Sequence, residues 1–345
     1  MSRAELGDRL ELTRPRLIAE VERLVAAGLV AEAGMAASRG GRRSTLVEID
    51  PRLRFAAVDL GASSLGIEVV NGRLEPVAAF REPASIRSGP QAILNRVNTL
   101  LTGERLDGIG IGLPGPVSFR DGVPVSPPIM PGWDRYPVRE VLEQHHGCPA
   151  VVDNDVNIMA IGERHGGVAH SVDDFLFVKL GTGIGCGIHL AGTVYRGADG
   201  CAGDIGHIEV DQAGPVCPCG NVGCLEALFS GAALGALTPE QVASGAAAGD
   251  AACIRLIREG GRNLGGALAT LVSFANPSMI VIGGRLAELG HLLLAEVRSV
   301  VYRRSLPLAT GNLPVVLSEL GRRAGVTGAA VLASEAAFTS VGVRP

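Results

Sequence analysis

One pattern of strands and glycine turns occurs twice in this chain, at equivalent places. Phe55-Ala-Ala-Val-Asp-Leu-Gly61 reads as a buried strand closing on Asp59 and Gly61; an apolar run over 65–70, the turn Asn71-Gly72 and a third strand near 76–80 follow. Asp174-Phe-Leu-Phe-Val-Lys-Leu-Gly181 closes on Gly-Thr-Gly-Ile-Gly185, and then come an apolar run to Leu190, the turn Ala191-Gly192 and a short strand to Tyr195. Short apolar runs bounded by glycine predict strands, and Asn-Gly between two of them predicts a hairpin. Self-similarity on this scale restricts the chain to two like lobes. A strand at 109–113, another at 150–152, a helix starting near Asp155, long helices over 251–274 and 324–338 and a strand at 279–284 make it a mixed α/β protein with a cleft between the lobes.

The two glycine turns suggest backbone amides gripping a phosphate chain from both lobes. Lys179 is the only lysine, so a Walker-type loop with its lysine is excluded, and a nucleotide site must rely on amides and a metal. Asn154-Asp155 follows a strand and starts a helix, where side chains project into a cleft. Asp155 there can act as a general base toward a hydroxyl, with Asn154 bonding a neighbouring hydroxyl; for any single Asn-Asp pair, an Asx turn or helix cap is the commoner explanation.

His207, Cys217, Cys219 and Cys224 fall in one short window with Gly214, Gly220 and Gly223. Three sulfurs and an imidazole are the ligand set of a closed tetrahedral zinc site, and turn glycines let a short loop converge on one ion. The other cysteines, Cys148, Cys186, Cys201 and Cys253, read as small buried hydrophobes. Seven cysteines in a 345-residue chain fit a reducing compartment. Met1 is followed at once by charged residues, and the most apolar stretch, 264–284, is broken by Asn276, Pro277 and Ser278, so a signal peptide and a membrane span are not expected and a cytoplasmic protein is.

Residues 1–54 stand apart electrostatically: ten Arg against eight Asp or Glu give +2, leaving −6 for the remainder. Helices are predicted over 4–11 and 14–28, the second with Leu17, Ile18, Val21, Leu24 and Val25 on one stripe, Thr13 as N-cap and Gly28 as stop. Two short strands, at 29–33 and 45–49, flank the basic loop Ser38-Arg-Gly-Gly-Arg42-Arg43. Helix, turn and helix followed by a wing is the order of a DNA-binding module, with Thr13, Arg14, Arg16, Arg42 and Arg43 as its contacts. An amphipathic helical pair with a solvated loop is the alternative.

Taken in order, Asp59-Leu-Gly-Ala-Ser-Ser, Gly112-Leu-Pro-Gly-Pro-Val, Asn154-Asp155-Val-Asn157, Gly181-Thr-Gly-Ile-Gly, Gly200-Cys-Ala-Gly-Asp-Ile-Gly-His207, Cys217-x-Cys219-Gly-x-x-Gly-Cys224-Leu-Glu226 and Ile282-Gly-Gly284 closely resemble the motifs of the ROK family, named for repressors, open reading frames and kinases. The likeness spans about residues 55–333. It implies a two-lobed actin-like, ribonuclease H-like fold, with one lobe over 55–172 plus 322–345 and the other, carrying the zinc loop, over 173–321. It also implies a sugar or amino sugar held by Asn154, Asp155, Asp204, His207 and Glu226, with Asp155 as the base that activates a sugar hydroxyl toward the γ-phosphate of ATP. Asp59, Gly61, Ser63, Gly181, Thr182, Gly183, Gly283 and Gly284 are then placed near the ATP phosphates, with Mg²⁺.

By the same likeness residues 1–54 resemble the winged helix-turn-helix of the family's repressors, shortened so that its first helix is missing; family kinases begin directly at the phosphate strand. Ser63 stands for a usual Thr, Ser64 for a usual Lys, Asp204 for a longer Glu and Pro128 for an Asn. The resemblance therefore implies a sugar-responsive repressor that binds operator DNA as a homodimer or homotetramer. The alternatives are an ATP-dependent hexose or N-acetylhexosamine kinase and a zinc-dependent scaffold.

Overall fold

The computed structural model of the chain describes residues 1–35 and 45–342. The basic loop with Arg42 and Arg43 lies outside the described residues.

The N-terminal unit holds α1 (Arg3–Arg9), α2 (Arg14–Ala26), β1 (Val30–Met35) and β2 (Thr45–Ile49). A capping box fixes the start of α1: Ser2 Oγ accepts from Glu5 N while the Glu5 carboxylate accepts from Ser2 N. Thr13 stands at the N-cap position of α2, but its hydroxyl makes no cap bond. The sequence stripe of α2 is narrower than expected, since Leu17 and Val21 are buried and Val25 is exposed. These two pack on Val47 with Leu6, Leu12 and Val30, and β1 pairs antiparallel with β2.

The first large sheet is built from β3 (Arg54–Leu60), β4 (Ser64–Asn71), β5 (Pro76–Pro83), β6 (Gly108–Leu113) and β9 (Ala150–Asn154), in the order β5-β4-β3-β6-β9. Between these strands lie α3 (Pro90–Leu100), the small ribbon of β7 (Val117–Ser118) and β8 (Val123–Pro124), and α4 (Val138–His146). Following β9, α5 (Asp155–Gly166) leads to the second sheet. That sheet is β10 (Phe175–Leu180), β11 (Ile184–Leu190), β12 (Thr193–Val194), β13 (Met279–Gly283) and β14 (Val315–Leu317), in the order β12-β11-β10-β13-β14. In both sheets the first strand pairs antiparallel with its hairpin partner and parallel with the strand that follows the crossover. The duplication read from the sequence is thus a duplication of topology.

Around the second sheet are α6 (Leu225–Leu228), α7 (Pro239–Ala247), α8 (Ala251–Ala275), α9 (Gly290–Arg304) and α10 (Pro307–Thr310), and the chain ends in α11 (Ala324–Ser340). Each sheet has its own buried cluster, one around Val58, Ile109 and Trp133, the other around Val178, Leu268 and Ile282. No described helix is long and apolar enough to cross a membrane. Cys148 and Cys186 are buried as expected, but Cys201 is exposed: it lies in an irregular loop with no apolar layer above it.

Small residues bring α5 and α11 together. A Cβ on Gly328 would lie 1.7 Å from the Ile158 carbonyl oxygen, and one on Gly162 would lie 2.1 Å from that of Ala324. The two helix backbones therefore touch. The other end of α11 carries Ala337 and Phe338, which pack with Leu24 and Leu29 of the N-terminal unit, and Arg23 Nη1 donates to the Val341 carbonyl at 2.6 Å. One helix thus runs from the sheets to the N-terminal unit. Gly328→Ala gains about 1 kcal/mol of helix propensity, yet the clash should leave a net loss of about 1–3 kcal/mol. Urea unfolding of the variant measures it, and an unchanged or raised midpoint would contradict the contact.

Candidate functional site

The end of β9 supplies the start of α5 and with it Asn154 and Asp155. Asn154 is the N-cap: its side-chain oxygen accepts from Val156 N at 2.8 Å, and its amide donates to the Gly115 carbonyl at 2.7 Å. The cap reading of Asn154 therefore holds, with one amide hydrogen left over. Asp155, the first residue of the helix, is buried and pairs through Oδ2 with the ammonium of Lys179. Burial opposes charge on Lys179, but the carboxylates of Asp155, Asp59 and Glu226 outweigh it and hold the ammonium above its usual range. Burial pushes Asp59, at the end of β3, up to about 6, with Lys179 pulling down and Asp155 pushing up. Asp59 and Asp155 from the first lobe and Lys179 from the second thus form one electrostatic group.

Glu226 lies in the first turn of α6, just after the cysteine window. Its Oε2 accepts from Ile184 N at 2.9 Å, at the end of the Gly181 turn. A Cβ on Gly183 would lie 2.3 Å from the same oxygen, so only glycine lets the turn seat on this carboxylate. Gly181 N in turn donates to the Gly183 carbonyl, closing the turn. Gly284, at φ +85°, meets the end of β10, where a Cβ would lie 2.4 Å from the Leu180 carbonyl. Gly181, Thr182, Gly183, Gly283 and Gly284 are thereby gathered at the carboxyl ends of β10 and β13. Gly61 and Ser63 form the corresponding turn after β3, where Gly61 N donates to the Ser64 carbonyl.

His207, Cys217, Cys219 and Cys224 have their ligand atoms within 4.8 Å of one another. Cys217 Sγ lies 3.5 Å from His207 Nδ1, and Cys219 Sγ lies 3.7 Å from Cys224 Sγ. A tetrahedral zinc with bonds of about 2.3 Å spaces its sulfurs by roughly 3.8 Å, so the four atoms fit a zinc ion. Burial pushes the Cys224 thiol up to about 12, which a metal must overcome by displacing the proton. The other nitrogen of His207, Nε2, lies 3.9 Å from Asp204 Oδ1, and Glu226 Oε2 lies 3.2 Å from where a Cβ on Gly206 would sit. Asp204, His207 and Glu226 are therefore neighbours around the loop.

Two residues have roles in the site that escaped the sequence reading. Arg196, in the loop after β12, donates from Nε and Nη2 to Asp153 Oδ2 at 2.9 and 2.7 Å, and its guanidinium lies 3.9 Å from the Phe119 ring centroid. Asp153 is buried and uses Oδ1 to accept from Asn154 N and from Asn157 Nδ2. The second lobe thus grips the residue next to the Asn154-Asp155 pair. Lys179 is the second; its solitude in the composition was the available signal.

A model of the "ROK family" matches residues 55–336. The chain belongs to the ROK family. A xylose repressor from Caldicellulosiruptor bescii is 29% identical over 362 residues, covering 95% of this chain and 90% of the relative. Among solved structures, a ROK family transcriptional regulator described as a homologue of the E. coli MLC protein matches with a TM-score of 0.85 at 25% identity, over 99% of this chain and 93% of that one. A ROK glucokinase from Streptomyces griseus, in complex with glucose and AMPPNP, matches at a TM-score of 0.73 and 28% identity, over 99% of its own length but 81% of this chain. The fold is therefore the two-lobed actin-like fold of ROK repressors and sugar kinases.

If the four ligands hold zinc, the purified full-length protein carries about one zinc per chain and Cys219→Ser loses most of it. If Asp204 and Glu226 in addition hold a sugar, chelation should weaken sugar binding before it lowers the melting temperature, because both lie beside this loop. Sugar affinity that survives chelation would separate the metal from the sugar site.

Proposed function

We propose that the chain is a sugar-responsive transcriptional repressor. The observation that supports this best is the extent of likeness: the two regulators align with nearly all of the chain, whereas the glucokinase is used up on 81% of it. What remains is of the size of the N-terminal unit. In this reading that unit is a winged helix-turn-helix with α2 in the major groove; Arg42 and Arg43, its remaining expected contacts, lie outside the described residues. Thr13, Arg14 and Arg16 at the start of α2 are exposed, and neither arginine has an ion-pair partner among the described residues. Unpaired guanidiniums are free for phosphates, whose neutralisation supplies most non-specific affinity.

The sugar is held in the cleft by Asp155, Asp204, His207 and Glu226, with the remaining amide hydrogen of Asn154. Zinc on His207 Nδ1 and the three cysteines keeps the loop over that cleft and leaves Nε2 for a hydroxyl. Closing the lobes on a sugar moves α5, and α11 carries the shift to the N-terminal units of a homodimer or homotetramer. Repression is relieved only to the extent that the closed state binds sugar better than the open one.

The kinase reading has its own support in the intact Gly181-Thr-Gly-Ile-Gly185 turn and in Asp155 at a helix start. It requires ATP and Mg²⁺ at Asp59, Gly61, Ser63, Gly181, Thr182, Gly183, Gly283 and Gly284, with Asp155 as base, and predicts ADP release over a sugar panel that Asp155→Asn abolishes. The repressor reading predicts a footprint of the full-length protein on DNA flanking its own gene. Arg14→Ala and Arg16→Ala should each weaken that binding and lower its salt dependence by about one phosphate contact. A footprint that is missing, or indifferent to both arginines, would rule it out.

A further inference from the structure

Lys179 is the only lysine of the chain, yet β10 carries it into the cleft and not to the surface. Its side chain is 22% exposed, and its ammonium contacts the Asp155 carboxylate. The carboxylates that act on it come from three elements: Asp155 at the start of α5, Asp59 at the end of β3 and Glu226 in α6. Its stem lies beside the Gly181 turn, where a Cβ on Gly181 would meet Lys179 Cε at 3.2 Å. A divalent cation is the usual partner of converging carboxylates beside phosphate-binding amides, because hard oxygen ligands and phosphate oxygens share it. Here a compact, strongly hydrated +1 charge on a flexible stem holds that place.

We propose that Lys179 is the built-in counter-cation of the cleft: its ammonium, in contact with the Asp155 carboxylate, supplies the positive charge that a divalent metal would otherwise bring to Asp155 and Asp59, and it ties Asp155 so that a sugar is bound without metal-dependent phosphoryl transfer. The second clause rests on the repressor reading; the first does not. Asp155 Oδ2 is engaged by the ammonium, while Oδ1 remains to accept a sugar hydroxyl. Sugar recognition and loss of transfer are thereby compatible in one carboxylate. A metal entering beside Lys179 would meet a like charge at contact distance, in a site partly withdrawn from solvent, where such repulsion is weakly screened.

The test titrates Mn²⁺ alone into the zinc-loaded full-length protein and follows water-proton relaxation. The wild type should show no site that depends on Asp59. Lys179→Met and Lys179→Gln should each gain one, with affinity raised by about tenfold or more, and Asp59→Asn in the same chain should remove it again. Lys179→Arg keeps the charge and should resemble the wild type. An Mn²⁺ site in the wild type that Asp59→Asn or Asp155→Asn removes would overturn the proposal, whatever the variants do. So would neutral variants that melt cooperatively and gain nothing, or wild-type ADP release that Lys179→Met abolishes. The DNA footprint of the wild type is read separately, so a failure of the repressor reading leaves the manganese result to stand or fall alone.

Discussion

The backbone contact between α5 and α11 is the constraint on which the remaining arrangement depends. Gly328 and Gly162 let two helices touch without side chains between them, so α5 has little room to shift unless α11 shifts with it. On its other side α5 lies against the second sheet, where Val156, Met159 and Ala160 pack with Phe175 and Phe177. Its first residue is Asp155. The carboxyl end of α11 packs on Leu24 and Leu29 and is held by Arg23. Cleft, lobe interface and N-terminal unit thus share two helices, and a movement at one is mechanically available to the others.

Polar contacts set what the cleft can do. Glu226 ties the cysteine window to the Gly181 turn through Ile184 N, so the cysteine loop and that turn are one assembly. Across the lobes, Arg196 holds Asp153 through two hydrogen bonds to one oxygen of a carboxylate that is almost wholly buried. Removing one partner of such a buried pair typically costs about 3–5 kcal/mol, because the other charge is left without compensation. Arg196 accordingly fixes the Asn154-Asp155 corner from the second lobe, and Lys179 does the same for the carboxylate itself.

Much of this was legible in the sequence where the signal was local. The two strand-turn-strand runs were recognisable because period, glycine and turn residues recur within a few positions, and both sheets follow them. The convergence of the cysteine and histidine side chains was legible because Cys217, Cys219 and Cys224 lie within one turn-rich loop and only His207 had to be added. The cap at Asn154 was open as an alternative and holds. The Lys179–Asp155 and Arg196–Asp153 pairs were not legible: their partners are 24 and 43 residues apart and meet only when the two sheets face each other. The exposure of Cys201 and of Val25 was misjudged for a related reason, since apolar character says nothing about whether a neighbouring layer arrives to cover it.

In the proposed repressor, sugar in the cleft and DNA on the N-terminal unit are linked through α5 and α11. Linkage is reciprocal, so the most direct measurement is calorimetric titration of the inducing sugar into the full-length protein with and without its footprinted DNA duplex. DNA should weaken sugar binding by the same factor by which sugar weakens DNA binding, and Gly328→Ala should reduce that factor. Equal sugar affinity in the presence and absence of DNA would contradict it.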